Sequence, residues 1–243
     1  MIIIILVAEA LARSVTVSNL CSFTIWPAMF TAIGTPPSYP TGWEAASGTT
    51  VSFTVPENWS SARIWGRRNC NFTHNSGTNN CLDGGCNGGL QCNGIGAPPA
   101  TLAEFTLNPN GQDYYDISLV DGYNLPVSIT SNAGCPVADC PIDLGPSCPI
   151  PLRGPIDSAG TTVGCLSACE ANIDGNPSNS PNCCTGQYST PATCPSSGVQ
   201  YYNYFKSNCP NSYCYAYDES SGTALWTCDG SRGPAYTITF CPR

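Results

Sequence analysis

The sequence predicts a mainly β protein, and three observations carry that expectation. It holds 24 Gly and 22 Pro among 243 residues while charged side chains make up only 10%, a composition of short strands and turns rather than long helices. Apolar residues recur at period two in four separate stretches, the pattern of strands with one buried face. Seventeen cysteines imply that covalent bridges hold what the strands leave loose, and such a number persists only in an oxidising compartment.

From the N-terminus, Ile2 to Ala8 is an apolar run followed by the small-residue site Ala10-Leu11-Ala12, so residues 1–12 are expected to be a signal peptide cut after Ala12. The run lacks a basic segment before it, and its seven residues fall far short of the roughly 20 that a membrane span requires. No other stretch approaches that length. A secreted protein, extracellular or in a cell wall, with no membrane span, follows.

The alternating stretches are Val15 and Val17; Val51, Phe53 and Val55; Val127 and Ile129; and Tyr236, Ile238 and Phe240, with Thr or Ser between them. Strand-rich ends around a cysteine-dense middle place the first and last strands in one sheet pair of a sandwich, with the middle an excursion. Cys70, Cys81, Cys86 and Cys92 lie in a Gly- and Asn-rich stretch too polar for a core, which reads as a small loop held by local bridges. Ten more cysteines fall between Cys135 and Cys214, a region whose plausible short helices are 165–172 and 201–208. Zinc ligation by Cys165-x3-Cys169 or by Cys183 and Cys184 is disfavoured by the same compartment, so neither a metal nor a cofactor is expected. The single histidine, His74, sits in a polar loop and reads as solvated, which leaves a Ser-His-Asp triad without support. Asn58-Trp59-Ser60 and Asn71-Phe72-Thr73 are glycosylation sequons.

Removing residues 1–12 takes away one acid, Glu9, and leaves 15 acidic against 8 basic side chains. Nucleic acid is excluded as a partner, because neutralising phosphates requires clustered Lys and Arg. The one basic cluster is Arg63, Arg67 and Arg68, and no Lys or Arg follows until Arg153. Inside that gap TLAEFTLNPNGQDYYDISLVDGYN brings Glu104, Asp113, Asp116 and Asp121 together with Tyr114, Tyr115 and Tyr123. Carboxylates on strand-like sequence beside aromatic rings suit a carbohydrate cleft. If residues 102–107 form a strand, Glu104 shares a face with Leu102 and Thr106, while Ala103, Phe105 and Leu107 form a buried back. Asp116 and Asp121 have opposite parity, so both reach one cleft only if the strand bends or ends near Gly122. Asp113, next to Gly111 and Gln112, reads as a surface residue. The tyrosines and Trp65 could stack on sugar rings, but aromatic residues beside strands are more often core.

The strings SNLCSFTIWPA, ARIWGRRNCNF, CLDGGCNGGLQC, GAPPATLAEFTLN, DYYDISLVDGYNLP, SACEANI, YFKSNCP, YCYAYD and FCP cover essentially all of the chain after residue 12, and they resemble the thaumatin-like proteins. DGGC stands where the family usually has TGDC, and YAYDESSGTALWTC reads closer to fungal members. The resemblance implies a lectin-type β-sandwich with two disulfide-rich lobes: a sandwich core of 13–67, 93–141 and 210–243, a small disulfide loop domain at 68–92, and a helical and loop lobe at 142–209. It implies the pairs Cys21–Cys241, Cys70–Cys81, Cys86–Cys92, Cys135–Cys228, Cys140–Cys209, Cys148–Cys165, Cys169–Cys183 and Cys184–Cys194. Cys214 is left over, as a buried thiol or an intermolecular link. It also implies a cleft between sandwich and lobe lined by Arg63, Glu104, Asp116, Asp121 and Asp218.

Glycoside hydrolysis needs a proton donor and a second carboxylate, about 6.5 to 9.5 Å apart for inversion or about 5 to 5.5 Å for retention. The assignment that follows is Glu104 as acid and Asp121 as base, with Arg63, Asp116 and Asp218 binding the substrate. The functional expectation is a monomer directed at β-1,3-glucan or a related wall polysaccharide, acting as a weak endo-β-1,3-glucanase. The alternatives are a non-catalytic glucan-binding or antifungal defence protein, and an inhibitor of a foreign hydrolase.

Overall fold

The computed structural model describes residues 12–73 and 77–243. The signal segment, apart from Ala12, and His74 lie outside the described residues. The strands are β1 (Ala12–Asn19), β2 (Ala28–Ile33), β3 (Thr50–Pro56), β4 (Ser60–Trp65), β5 (Leu102–Thr106), β6 (Gln112–Ser118), β7 (Val127–Ser131), β8 (Ala138–Cys140), β9 (Trp226–Asp229) and β10 (Tyr236–Phe240). They make two five-stranded sheets, ordered β3-β1-β10-β7-β8 and β2-β4-β5-β6-β9. All four alternating stretches are strands, and all four lie in the first sheet. Their apolar positions turn inward, while the Ser and Thr between them, apart from the buried Ser128, face out, as in the Thr16–Ser52 hydroxyl pair at 2.8 Å.

β1 runs parallel to β10, Val17 opposite Ile238, so the two ends of the chain share one sheet as the alternation predicted. The core lies between the sheets. Val15, Val17, Val127, Ile129, Ile238 and Phe240 from one side meet Ala62, Ile64, Ala103, Phe105, Tyr115 and Ile117 from the other. Trp59 stacks on Phe105, and Tyr236 bridges Phe105 and Tyr115 at ring distances of 5.4 and 5.2 Å. Tyr115, Tyr123 and Trp65 are therefore core residues and not sugar platforms, since each is 1% exposed or less.

The polar stretch after β4 is fastened from beneath by Arg67. Its fully buried guanidinium donates to the carbonyls of Trp26, Gly89 and Leu90 and lies 5.1 Å from the ring of Phe72. Burial with no carboxylate beside it lowers this arginine to about 10. Trp65 donates from Nε1 to Gly84 O at 2.7 Å, which ties the same loop to the end of β4.

Of the two expected helices, only the second forms, as α1 (Tyr202–Asn208). Residues 165–172 instead make a series of turns, with Ala171 N–H bonded to Ser167 O and Asn172 N–H to Cys169 O. Asn172 then turns left-handed at φ 48°, and the Cys169–Cys183 bridge fixes the segment as it stands. Among the described residues no helix is long and apolar enough to cross a membrane. The eight disulfides join the pairs that the resemblance implied, and Cys214 is a buried free thiol pushed up to about 12 by burial.

Candidate functional site

The site is assembled by strand register. β4, β5 and β6 lie side by side and antiparallel, with Arg63 opposite Glu104 and Glu104 opposite Asp116. Directly opposed residues point to the same face of a sheet, so these three side chains form one transverse row. Their neighbours at odd offset, Ala62, Ile64, Ala103, Phe105, Tyr115 and Ile117, pack in the core, which forces the row onto the outer face.

Asp121 joins from a turn. β6 ends at Ser118, and Gly122 N–H closes back on Leu119 O with φ +84° at the glycine. A Cβ here would meet Cys165 O at 2.9 Å, so the tight turn and the close approach both demand glycine. Tyr123 and Cys165 exchange two backbone hydrogen bonds of 2.8 Å, which anchor the turn to the disulfide-rich segment. The strand thus ends before Gly122, and the opposite parity of Asp116 and Asp121 is resolved as the sequence required.

Arg63 ties the group together. Its Nη2 lies 3.0 Å from Glu104 Oε1 and its Nη1 donates to Asp121 Oδ2 at 3.4 Å. These three side chains are 25%, 29% and 28% exposed, so a ligand can touch them. Asp116 sits deeper, 9% exposed, and its Oδ1 is buried without a hydrogen-bond partner. Burial pushes its carboxyl well above the ordinary range, and the charge of Glu104 pushes the same way against the pull of Arg63. Glu104 is raised mainly by burial, with Arg63 opposing and Asp121 adding repulsion. Asp121 is raised by burial and held back by Arg63. Burial thus raises all three acids, Asp116 most strongly.

Asp218 is not in this cleft. It is fully buried, accepting from Tyr202 Oη at 2.7 Å and Cys214 N–H at 3.0 Å and pairing with Lys206 Nζ at 3.0 Å. Its chain neighbour Glu219 lines the cleft instead, on the turn formed by Asp218–Ser221, and its charge helps raise Asp116. Consecutive residues on a tight turn point in different directions, and nothing in YAYDES says which of the two acids faces out.

Three adjoining hollows make up the cleft. One of about 340 Å³ is lined by Arg63, Glu104, Asp116, Asp121, Tyr213 and Glu219. A second of about 350 Å³ continues past Glu104 and Asp116 to Tyr114 and Leu225, which leaves Tyr114 as the one predicted aromatic to reach the site. A third of about 210 Å³ extends from Asp121 to Tyr215 and to Glu170 and Gln200 on the disulfide-rich segment. Glu170, within SACEANI, is a cleft residue that the sequence reading does not include. Its carboxyl is raised by burial and then by the charge of Asp121. A larger hollow of about 740 Å³, lined by Asn69, Asn71, Asn79, Asn80 and Ser158, has no titratable group among its described lining residues. No group of three or more His, Cys, Asp or Glu among the described residues is arranged to hold a metal ion.

Residues 19–242 match the family model described as the Thaumatin family. The chain belongs to the thaumatin family. Thaumatin-like protein 1 of Pyrus pyrifolia is 45% identical over 234 residues, covering 93% of this chain and 90% of that one. A relative from Prunus avium, named Glucan endo-1,3-beta-glucosidase, is 42% identical over 237 residues, covering 95% and 91%. Among solved structures, a laminaripentaose-producing β-1,3-glucanase of glycoside hydrolase family 64 from Paenibacillus barengoltzii aligns over 96% of this chain and 75% of its own, with a TM-score of 0.55. At 12% identity this likeness is one of thaumatin-type fold alone. The family, together with the eight bridges, is consistent with a secreted protein.

Proposed function

We propose that the protein is secreted, acts on β-1,3-glucan or a related wall polysaccharide, and cleaves it weakly as an endo-β-1,3-glucanase. The observation that carries this reading is the row of Arg63, Glu104 and Asp116, completed by Asp121 on the same guanidinium, in the floor of an open cleft. Glu104 is the general acid: it is reachable, and its raised carboxyl keeps a proton available to the leaving glycosidic oxygen. Asp121 is the base that activates water, and Arg63 steadies whichever of the two is charged. Asp116, beneath Glu104, holds a proton and so limits repulsion in the row. The glucanase named among the relatives supports the choice of substrate. Purified protein should release reducing ends from a soluble β-1,3-glucan, and Glu104→Gln should lower the rate about 10²-fold or more. An unchanged rate in that variant removes Glu104 from the chemistry.

A second reading is favoured by one feature. Arg63 contacts both Glu104 and Asp121, which stabilises both as carboxylates and suits a binding cleft that cuts nothing. Retention on insoluble glucan without product, unaffected by Glu104→Gln, would select this reading.

A further inference from the structure

The three hollows hold Glu104, Asp116, Asp121, Glu170 and Glu219, while Arg63 is the only cationic side chain among the described residues lining them. Even with Asp116 and the general acid Glu104 neutral, three carboxylates face one guanidinium. The hydroxyls of a neutral glucan can donate to these carboxylates but do not compensate their charge. The excess is also not spent on internal pairing, because Glu170 and Glu219 are exposed and form no ion pair among the described residues. A second observation points to a donor missing from the floor: Asp116, more than nine-tenths buried, lines both central hollows and leaves Oδ1 without a hydrogen-bond partner. An orphaned buried acceptor in an acidic cleft fits a small cation bearing several N–H donors, and an ammonium group offers three.

We propose that the cleft takes a polymer of 2-amino-2-deoxyglucose, a glucan bearing ammonium groups, in preference to its neutral counterparts, with one ammonium seated over Asp116. The sugar backbone rests on the saccharide reading above; the preference for cationic over neutral rings is the new element. Ser118, Tyr114, Tyr213 and Gln200 line the same hollows and can bond ring hydroxyls, which a peptide does not carry. An ammonium arriving beside Asp116 favours its charged form, so binding releases a proton from that carboxyl to solvent.

Calorimetry on the intact protein tests this with a glucosamine hexamer, the N-acetylglucosamine hexamer, a β-1,3-linked glucose hexamer and hexalysine. The glucosamine hexamer should bind at least about tenfold more tightly than either neutral hexamer at low salt, as several exposed charge pairs together allow. The advantage should vanish near 1 M salt, where the screening length falls to about 3 Å. Titration in buffers of different ionisation enthalpy should reveal proton release that Asp116→Asn abolishes. Glu170→Gln combined with Glu219→Gln, both at exposed positions, should weaken glucosamine binding several-fold and the neutral hexamers by clearly less. Equal affinity for the acetylated hexamer, indifference to salt, an unaffected double variant, or hexalysine binding as tightly as the sugar each overturns the proposal. Cleavage of the glucose hexamer without affinity for glucosamine overturns it alone, whereas glucosamine binding without any cleavage leaves it standing and removes only the hydrolytic reading.

Discussion

Asp113 and Asp116 stand three residues apart on β6 and therefore point to opposite faces of one sheet. Asp113 faces the core, where Arg13 Nη1 lies 3.0 Å and Tyr236 Oη 2.7 Å from Oδ2, and Asn108 N–H donates to Oδ1 at 2.8 Å. Arg13 is equally occupied: Nε and Nη2 donate to Glu57, Nη2 also to Gly230 O, and Nη1 to Pro234 O. On the outer face, Arg63 meets Glu104 and Asp121, each more than a quarter exposed, and Asp116 keeps an oxygen with no donor. The two clusters use the same residue types, one arginine and acids from separate segments. Saturation distinguishes them: a network with every donor and acceptor used holds the sheets together, while one with capacity left over is available to a ligand.

Removing the core member should have the largest effect. Asp113→Ala leaves Arg13 buried and half-paired, and urea unfolding should register a loss of about 3 to 5 kcal/mol. The same contrast recurs between chain neighbours on one turn. Asp218→Ala strips the buried partner of Lys206 and should cost about 3 kcal/mol, whereas Glu219→Gln should stay within about 0.5 kcal/mol and alter ligand binding instead. A Glu219→Gln variant as unstable as Asp218→Ala would erase the distinction drawn here.

Asp83 provides an intermediate case. It is buried beside Asn124 and Arg68, its Oδ2 has no partner, and burial raises it to about 7. The folded protein therefore binds a proton that the unfolded chain has already lost above its ordinary value near 3.8. Stability from this residue is present at low pH and falls as pH rises toward 7, by up to about 1.4 kcal/mol per unit. Asp83→Asn, which keeps an acceptor for Asn124 and for Arg68 N–H, should flatten that slope in melts taken across the range. Arg63→Met should also cost little, under about 1 kcal/mol, because its ion pairs are partly solvated. That variant should nonetheless raise the titrations of Glu104, Asp116 and Asp121 together, since Arg63 lowers all three.

The first sheet was legible because its outward positions are Ser and Thr and its inward ones apolar. The second sheet is less so, since β5 and β6 bury parts of both faces. Its decisive feature, the alignment of Arg63, Glu104 and Asp116, depends on pairing β5 both with the nearby β6 and with β4, some forty residues earlier in sequence, and only family resemblance reached it. The Asp113 reading failed for a local reason: Gly111 and Gln112 suggested solvent, but Asp113 shares parity with buried Tyr115, Ile117 and Leu119, and that signal was present in the sequence. The choice between Asp218 and Glu219 had no such signal, because a single tight turn has no periodicity to read.

The bridge between Cys21 and Cys241 spans 220 residues and closes nearly the whole chain into a covalent ring beside the β1–β10 pairing. A protease that makes one cut anywhere inside that ring produces a longer linear molecule and no fragment. Both sides of the cut remain attached through the terminal cystine, so the cleft walls stay tethered. A host enzyme must cut at least twice, or reduce the bond as well, before any piece can leave.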